Sequence, residues 1–203
     1  MTSTYEAPQG VRARLHPALR YSIALLGGFV ASTALTAPLS ADLRPIVGGW
    51  AMIAVYAVYG TLLARHDLRE KRLPDSLTLT LAAILTGSVL ALALTAGAGA
   101  AAISAIAGGL GLAVVLTCIG LAGHVGFGDV KLALSIGLLT GWHTWYFPFL
   151  AIALAYLLAF PHAIAAAILK SRGRDTHDLP FGPYLLAAGA IIALVAIISN
   201  IPL

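Results

Sequence analysis

Apolar runs of roughly twenty residues recur along the chain, each bounded by short clusters of charged, glycine or proline residues. A helix needs about 20 mostly apolar residues to cross the hydrocarbon core of a bilayer. The runs predict spans at roughly 21–41, 46–64, 77–97, 100–121, 126–141, 145–169 and 183–199. The fifth is short and opens on an unusual glycine-rich stretch. The expected fold is an all-α integral membrane protein, a polytopic bundle of about seven transmembrane helices. It reads as one membrane-embedded domain over residues 1–203, with 1–20 as a cytoplasmic tail. Arg12, Arg14 and Arg20 ahead of the first run, and small residues near Ala37 and Ala41, are ingredients of a signal peptide. The run is long for a signal sequence and Pro38 sits awkwardly for cleavage, so a retained helix is expected.

Composition removes the soluble alternative. Of 203 residues, 60% are hydrophobic and 10% charged, with a mean hydropathy of +0.93. Soluble domains carry about 25% charged residues. The net charge of +4 is dispersed among the connections, so a lipid bilayer and not a nucleic acid is the expected partner. The single cysteine, Cys118, can form neither an intrachain disulfide nor a Cys-Cys zinc site. It reads as a small buried apolar residue.

Lys and Arg positions test the span assignment independently. With connections numbered alternately inside and outside, the inside set holds Arg12, Arg14, Arg20, Arg65, Arg69, Lys71, Arg72, Lys131, Lys170, Arg172 and Arg174. Those are eleven of the twelve cations; only Arg44 falls outside. The split follows the positive-inside rule with a cytoplasmic N-terminus and an outside C-terminus. The same alternation brings connections 65–76, 122–131 and 170–182 to the cytoplasmic face, and these hold nearly every polar residue capable of chemistry. From Leu90 to Ala107 the chain is rich in alanine and glycine, and glycines continue at 108, 109, 111, 120, 123, 126 and 128. Small residues let membrane helices approach closely.

Two acids stand out at the ends of spans. Asp67 follows the second, in His66-Asp67-Leu68-Arg69-Glu70-Lys71-Arg72-Leu73-Pro74-Asp75, and Asp129 opens the fifth, in Gly126-Phe127-Gly128-Asp129-Val130-Lys131-Leu132. Acids at membrane depth are functional candidates by default. Two carboxylates suit peptide hydrolysis without a metal or a covalent intermediate. One takes a proton from the attacking water, and the other, protonated, donates to the carbonyl oxygen. Acids held close share one proton, because both cannot ionise together. Simpler roles compete: Asp67 as a loop charge pairing with Arg65 or Arg69, and Asp129 as an N-cap of the fifth helix. Asp75 reads as an N-cap or turn residue after Pro74, and Glu70 as solvated.

These segments resemble the type IV prepilin peptidases. Gly126-Phe127-Gly128-Asp129-Val130-Lys131-Leu132 is similar to that family's Gly-x-Gly-Asp signature. Asp67, the basic run after it and Leu73-Pro74-Asp75 resemble the first catalytic aspartate motif. Leu179-Pro180-Phe181-Gly182-Pro183, followed by Ala188-Gly189, resembles a third family segment. The motifs occur in family order, each at an inside span end, over roughly residues 46–192.

The resemblance implies an intramembrane aspartyl endopeptidase of the bacterial inner membrane. It implies substrates that are prepilin or pseudopilin precursors, with a basic leader ahead of an apolar helix, cut at the cytoplasmic face after a glycine. Pilus or secretion assembly machinery, including that of tight-adherence or Flp-type pili, is the implied wider partner. Asp67 and Asp129 are then the catalytic pair, and Gly126 and Gly128 shape the loop. Lys131 matches a motif lysine and reads as an anchor to lipid headgroups. Pro180 to Pro183 border the substrate cleft or form a rigid turn into the last helix. Bifunctional members carry a cytoplasmic domain with paired Cys-x-x-Cys motifs and methylate the product. With a single cysteine, this chain resembles the short peptidase-only members, and methyl transfer is not expected.

No metal or cofactor is expected: His66 beside Asp67 and His124 near Asp129 lack helix-face ligand spacing. Trp142, His143, Trp145 and Tyr146 read as an outer aromatic belt. His162 reads as a hydrogen-bonded packing residue, and Tyr156 and Phe160 as helix-packing or lipid-facing. The alternative from another class is a proton-coupled transporter or channel using the same aspartates. Against it, both acids lie on one side, none sits at mid-membrane, and no inverted repeat is evident. A structural assembly subunit is a third reading, one in which the aspartates are dispensable.

Overall fold

The computed structural model describes residues 16–70, 73–121, 126–172 and 181–199. They form seven helices: α1 (Pro17–Thr36), α2 (Leu43–Glu70), α3 (Asp75–Thr95), α4 (Gly99–Leu121), α5 (Phe127–Gly141), α6 (Phe147–Ser171) and α7 (Gly182–Ser199). All except α5 are long and apolar enough to cross a membrane. Large apolar side chains such as Leu94, Ile103, Leu110 and Val114 point outward from the bundle. In water such a surface would be an aggregation site; in a bilayer it meets solvent of its own kind. The protein is a multi-pass membrane protein.

Several boundaries differ from the expectation. α1 starts at Pro17, where a residue without an amide hydrogen opens a helix at no cost in hydrogen bonds, and it ends at Thr36. α2 runs on to Glu70 instead of ending near 64. Leu62, Leu63, Ala64, Arg65, Leu68, Arg69 and Glu70 are strong helix formers, and no described proline or glycine interrupts them. Asp67 therefore sits on a helix and not in a loop.

α5 is the centre of the bundle. It packs against every other helix except α1. From 132 to 141 every residue except Leu134 is buried. A helix that is apolar on all sides belongs inside. From 132 onward its side chains meet protein, so hydrocarbon thickness does not fix its length of 15 residues.

Small residues make that central position available. Gly108 and Gly109 of α4 meet Gly137 and Gly141 of α5. A Cβ on Gly137 would fall 2.5 Å from the Gly108 carbonyl oxygen and from the Gly109 Cα. The close approach expected of the glycine-rich segment thus falls on α4 and α5. A second backbone contact joins α1 to α3, with Gly28 against Ile84 and Gly87 against Leu25.

Arg44, the one cation the sequence reading places outside, has a structural task. The Arg44 guanidinium donates from Nη1 to the Thr95 carbonyl at 2.6 Å, from Nε to Leu39 O at 3.0 Å and from Nη2 to Ala37 O at 3.2 Å. It thereby satisfies carbonyls at the C-terminal ends of α1 and α3, which helices leave unpaired.

Two other expectations are corrected. Cys118 is exposed. The packed face of α4 runs through Ala105, Gly108, Gly109, Leu112 and Leu116, and residue 118 falls off that stripe. Trp142 is buried and His143 is partly buried, whereas Trp145 and Tyr146 are exposed, so only the latter pair fits a belt. Trp142 and His143 line an inward pocket with Pro45, Ile46, Ala98, Ala101 and Ile197. Burial pushes the His143 imidazole down to about 4.

Candidate active site

Asp67 lies in the last turn of α2 and is only 6% exposed. Neither Arg65 nor Arg69 pairs with it among the described residues, so it is not a loop charge neutralised by its neighbours. His66 instead reaches Glu70 one turn on, at 3.6 Å, on the exposed side of α2. Asp67 Oδ2 is buried with no partner in full hydrogen-bond geometry. The Gly182 backbone N–H at the start of α7 faces the carboxylate. A buried carboxylate oxygen without a firm partner is costly, and such a group is typical of a reactive site.

Asp129 occupies the third position of α5, behind Gly126 as N-cap. Its carboxylate accepts from the Gly126 backbone N–H, the reach-back half of a capping box. The acid is therefore not the cap itself. The arrangement holds it at the positive end of the helix and leaves it within electrostatic range of Asp67.

A cavity of about 310 Å³ opens between them, lined by Asp67, Leu73, Asp75, Gly126, Phe127, Gly128, Asp129 and Lys131. The two aspartates, 62 positions apart in sequence, share its wall. Gly128 has its place because Leu73 packs over it, 3.1 Å from where a Cβ would stand. Pro74 is the N-cap of α3, and Asp75 is its first residue, not its cap. Asp75 Oδ1 meets Lys131 Nζ at 2.6 Å, so Lys131 is engaged with the first turn of α3. Gly182 and Pro183 open α7, and Gly182 adjoins Asp67. Pro180, Lys71, Arg72 and His124 lie outside the described residues.

Sequence reasoning read one neighbour of the site only as helix-packing or lipid-facing. Tyr156 of α6 stands in electrostatic range of Asp129 and stacks on Phe181 with ring centroids 5.0 Å apart. Phe181 directly precedes Gly182, so this aromatic pair stands beside both acids. Its only signal in the sequence is a phenol within a largely apolar helix. His162, on the same helix, is exposed and shares a 2.6 Å hydrogen bond with the Tyr184 hydroxyl of α7.

Fold and site together define a multi-pass membrane bundle with two carboxylates on one cavity at one end of its helices. Residues 54–198 match the type IV leader peptidase family, and the chain belongs to that family. It is similar to leader peptidase HopD of Escherichia coli, 30% identical over 76 residues, which cover 37% of this chain and 47% of that protein. It is also similar to leader peptidase HopD of Salmonella typhimurium (strain LT2), 36% identical over 67 residues, covering 33% of this chain and 41% of that protein. The chain thus spans less than half the length of these curated relatives. No solved structure matches it. The family match begins inside α2, so α1 lies outside it.

Proposed function

We propose that this protein is an aspartic endopeptidase that removes the basic leader from prepilin or pseudopilin precursors. The observation that carries the reading is that Asp67 and Asp129, from α2 and α5, line one cavity. The ionised carboxylate takes a proton from water as the water oxygen attacks the scissile carbonyl. The protonated carboxylate gives its proton to the carbonyl oxygen. Collapse of the tetrahedral intermediate breaks the C–N bond: the proton gained from water passes to the leaving amine, and a hydroxyl of the intermediate returns its proton to the other carboxylate as the carbonyl re-forms. The pair ends with one shared proton, as it began.

Membership in the leader peptidase family supports the substrate class. The charge distribution supports a cytoplasmic N-terminus and an active site at the cytoplasmic face of the bacterial inner membrane. There the substrate's apolar helix rests in the bilayer, while its leader lies at the anionic leaflet. Pilus or secretion machinery would receive the product.

The test uses purified protein in detergent with a synthetic precursor that has a lysine-bearing leader, a glycine before the scissile bond and an apolar helix. Asp67→Asn and Asp129→Asn are each expected to abolish cleavage while the thermal transition is retained. A tenth of wild-type activity in either variant would remove that residue from the pair. Replacing the substrate glycine with valine is expected to block cleavage at that bond, because glycine is the residue that most easily leaves helical geometry.

A further inference from the structure

Four charged side chains line the cavity, and the catalytic reading uses only two of them. The others, Asp75 and Lys131, form an ion pair at 2.6 Å that joins the first turn of α3 to the first turn of α5. Lys131 follows Asp129 by two positions on a short helix, and its flexible stem carries a compact charge with three donors. Left unpaired, that ammonium has two nearby carboxylates to approach, Asp129 and Asp67. The pair as built presents the cavity with no net charge.

We propose that Asp75 is a positioning residue for the reaction: it holds the Lys131 ammonium away from Asp67 and Asp129 and thereby sets the pH window in which the two share a proton. The inference rests on the peptidase reading above and adds to it a residue that takes no part in the bond-making steps. Around the cavity, the charged and titratable groups among the described residues are Asp67 from α2, Asp75 from α3, Asp129 and Lys131 from α5, and Tyr156 from α6. α7 contributes the Gly182 backbone, and its Tyr184 is engaged with His162. α4 carries no charged residue, and its Cys118 is exposed. Arg65, His66, Arg69 and Glu70 of α2 are exposed and do not line the cavity. Among the described residues Lys131 is therefore the one lining cation, and Asp75 is what restrains it.

The sign of the effect follows from charge. Asp75→Asn releases a cation beside the acids, which favours their ionised forms, so both limbs of the pH profile of kcat/KM move to lower pH. For one uncompensated charge on the wall of the same cavity the expected shift is about half a pH unit to one unit. Lys131→Met leaves the Asp75 anion uncompensated and moves both limbs the other way. The Asp75→Asn/Lys131→Met double variant restores neutrality, and its profile returns to that of the wild type. Asp75→Glu keeps the charge and the wild-type profile.

The experiment measures kcat/KM against pH for these four variants on the synthetic precursor. Limbs that stay in place in both single variants, or a shift that persists in the double variant, would overturn the proposal and leave Asp75 a purely structural link between α3 and α5. Should Asp75→Asn fail to fold, Lys131→Met alone decides, since its expected shift has the opposite sign. Failure here differs from failure of the catalytic reading: Asp67→Asn and Asp129→Asn lose all cleavage in the first case and keep it in the second.

Discussion

Gly182 stands against Asp67 so closely that a Cβ at position 182 would lie 2.5 Å from Oδ2 and 3.0 Å from Cγ. The start of α7 thus forms one wall around the α2 carboxylate, and the N–H of the same glycine faces it. A side chain here would take away space and direct contact at once. This is why the glycine between Phe181 and Pro183 belongs to the site and not merely to a turn.

Gly182→Ala is expected to leave the bundle folded but to push the Asp67 carboxylate or the start of α7 out of place. A displacement of about 1 Å at reacting groups costs about 100-fold in rate. Cleavage assays should show kcat falling on that scale, with the thermal transition in detergent nearly unchanged. Wild-type kcat in this variant would mean that the carboxylate does not work in the position seen here.

The α4–α5 contact makes a prediction about stability. Gly137→Ala places a methyl group against the backbone of Gly108 and Gly109. Overpacking of this kind costs about 1–3 kcal/mol. Gly27→Ala on α1 is the control, since a Cβ there meets nothing within 4 Å. It gains helix propensity of up to about 1 kcal/mol. Thermal unfolding in detergent should separate the two variants by sign.

At the opposite end of the bundle, burial holds His143 neutral, with its imidazole pushed down to about 4 from the ordinary 6.5. A depressed histidine stabilises the fold fully above its unfolded value. It loses that contribution as pH falls from about 6.5 towards 4, because the unfolded chain binds the proton first. The loss approaches at most about 1.4 kcal/mol per pH unit within that window. Stability measured against pH should therefore fall less steeply below 6.5 in His143→Gln than in the wild type. Parallel curves would show that His143 does not titrate between the two states.

The sequence by itself determined the class of the protein. Apolar runs near bilayer length, few charges and cations gathered in alternate connections leave a bundle of membrane helices as the one arrangement that satisfies backbone and side chains together. It also marked Asp67 and Asp129 as candidates, because acids at the ends of apolar spans are rare enough to be noticed. The glycines around Asp129 and the resemblance of three segments to one family were legible for the same local reason: each is a pattern of neighbours along the chain. What only the tertiary structure decided are relations between distant residues. That α5 is the central helix, that Gly137 lies on Gly108, that Lys131 is held by Asp75, and that Tyr156 and Phe181 stand beside both acids follow from which helix packs on which. The expectations that changed have the same cause. Cys118, Trp142 and Asp75 each sit in sequence that suits more than one environment, and the rotation of a helix or the identity of its neighbour selects among them. Periodicity fixes where a helix runs and which side is apolar. The partner that a given side chain meets is set by packing across the bundle, where the contacts that settle the matter lie tens of residues away in the chain.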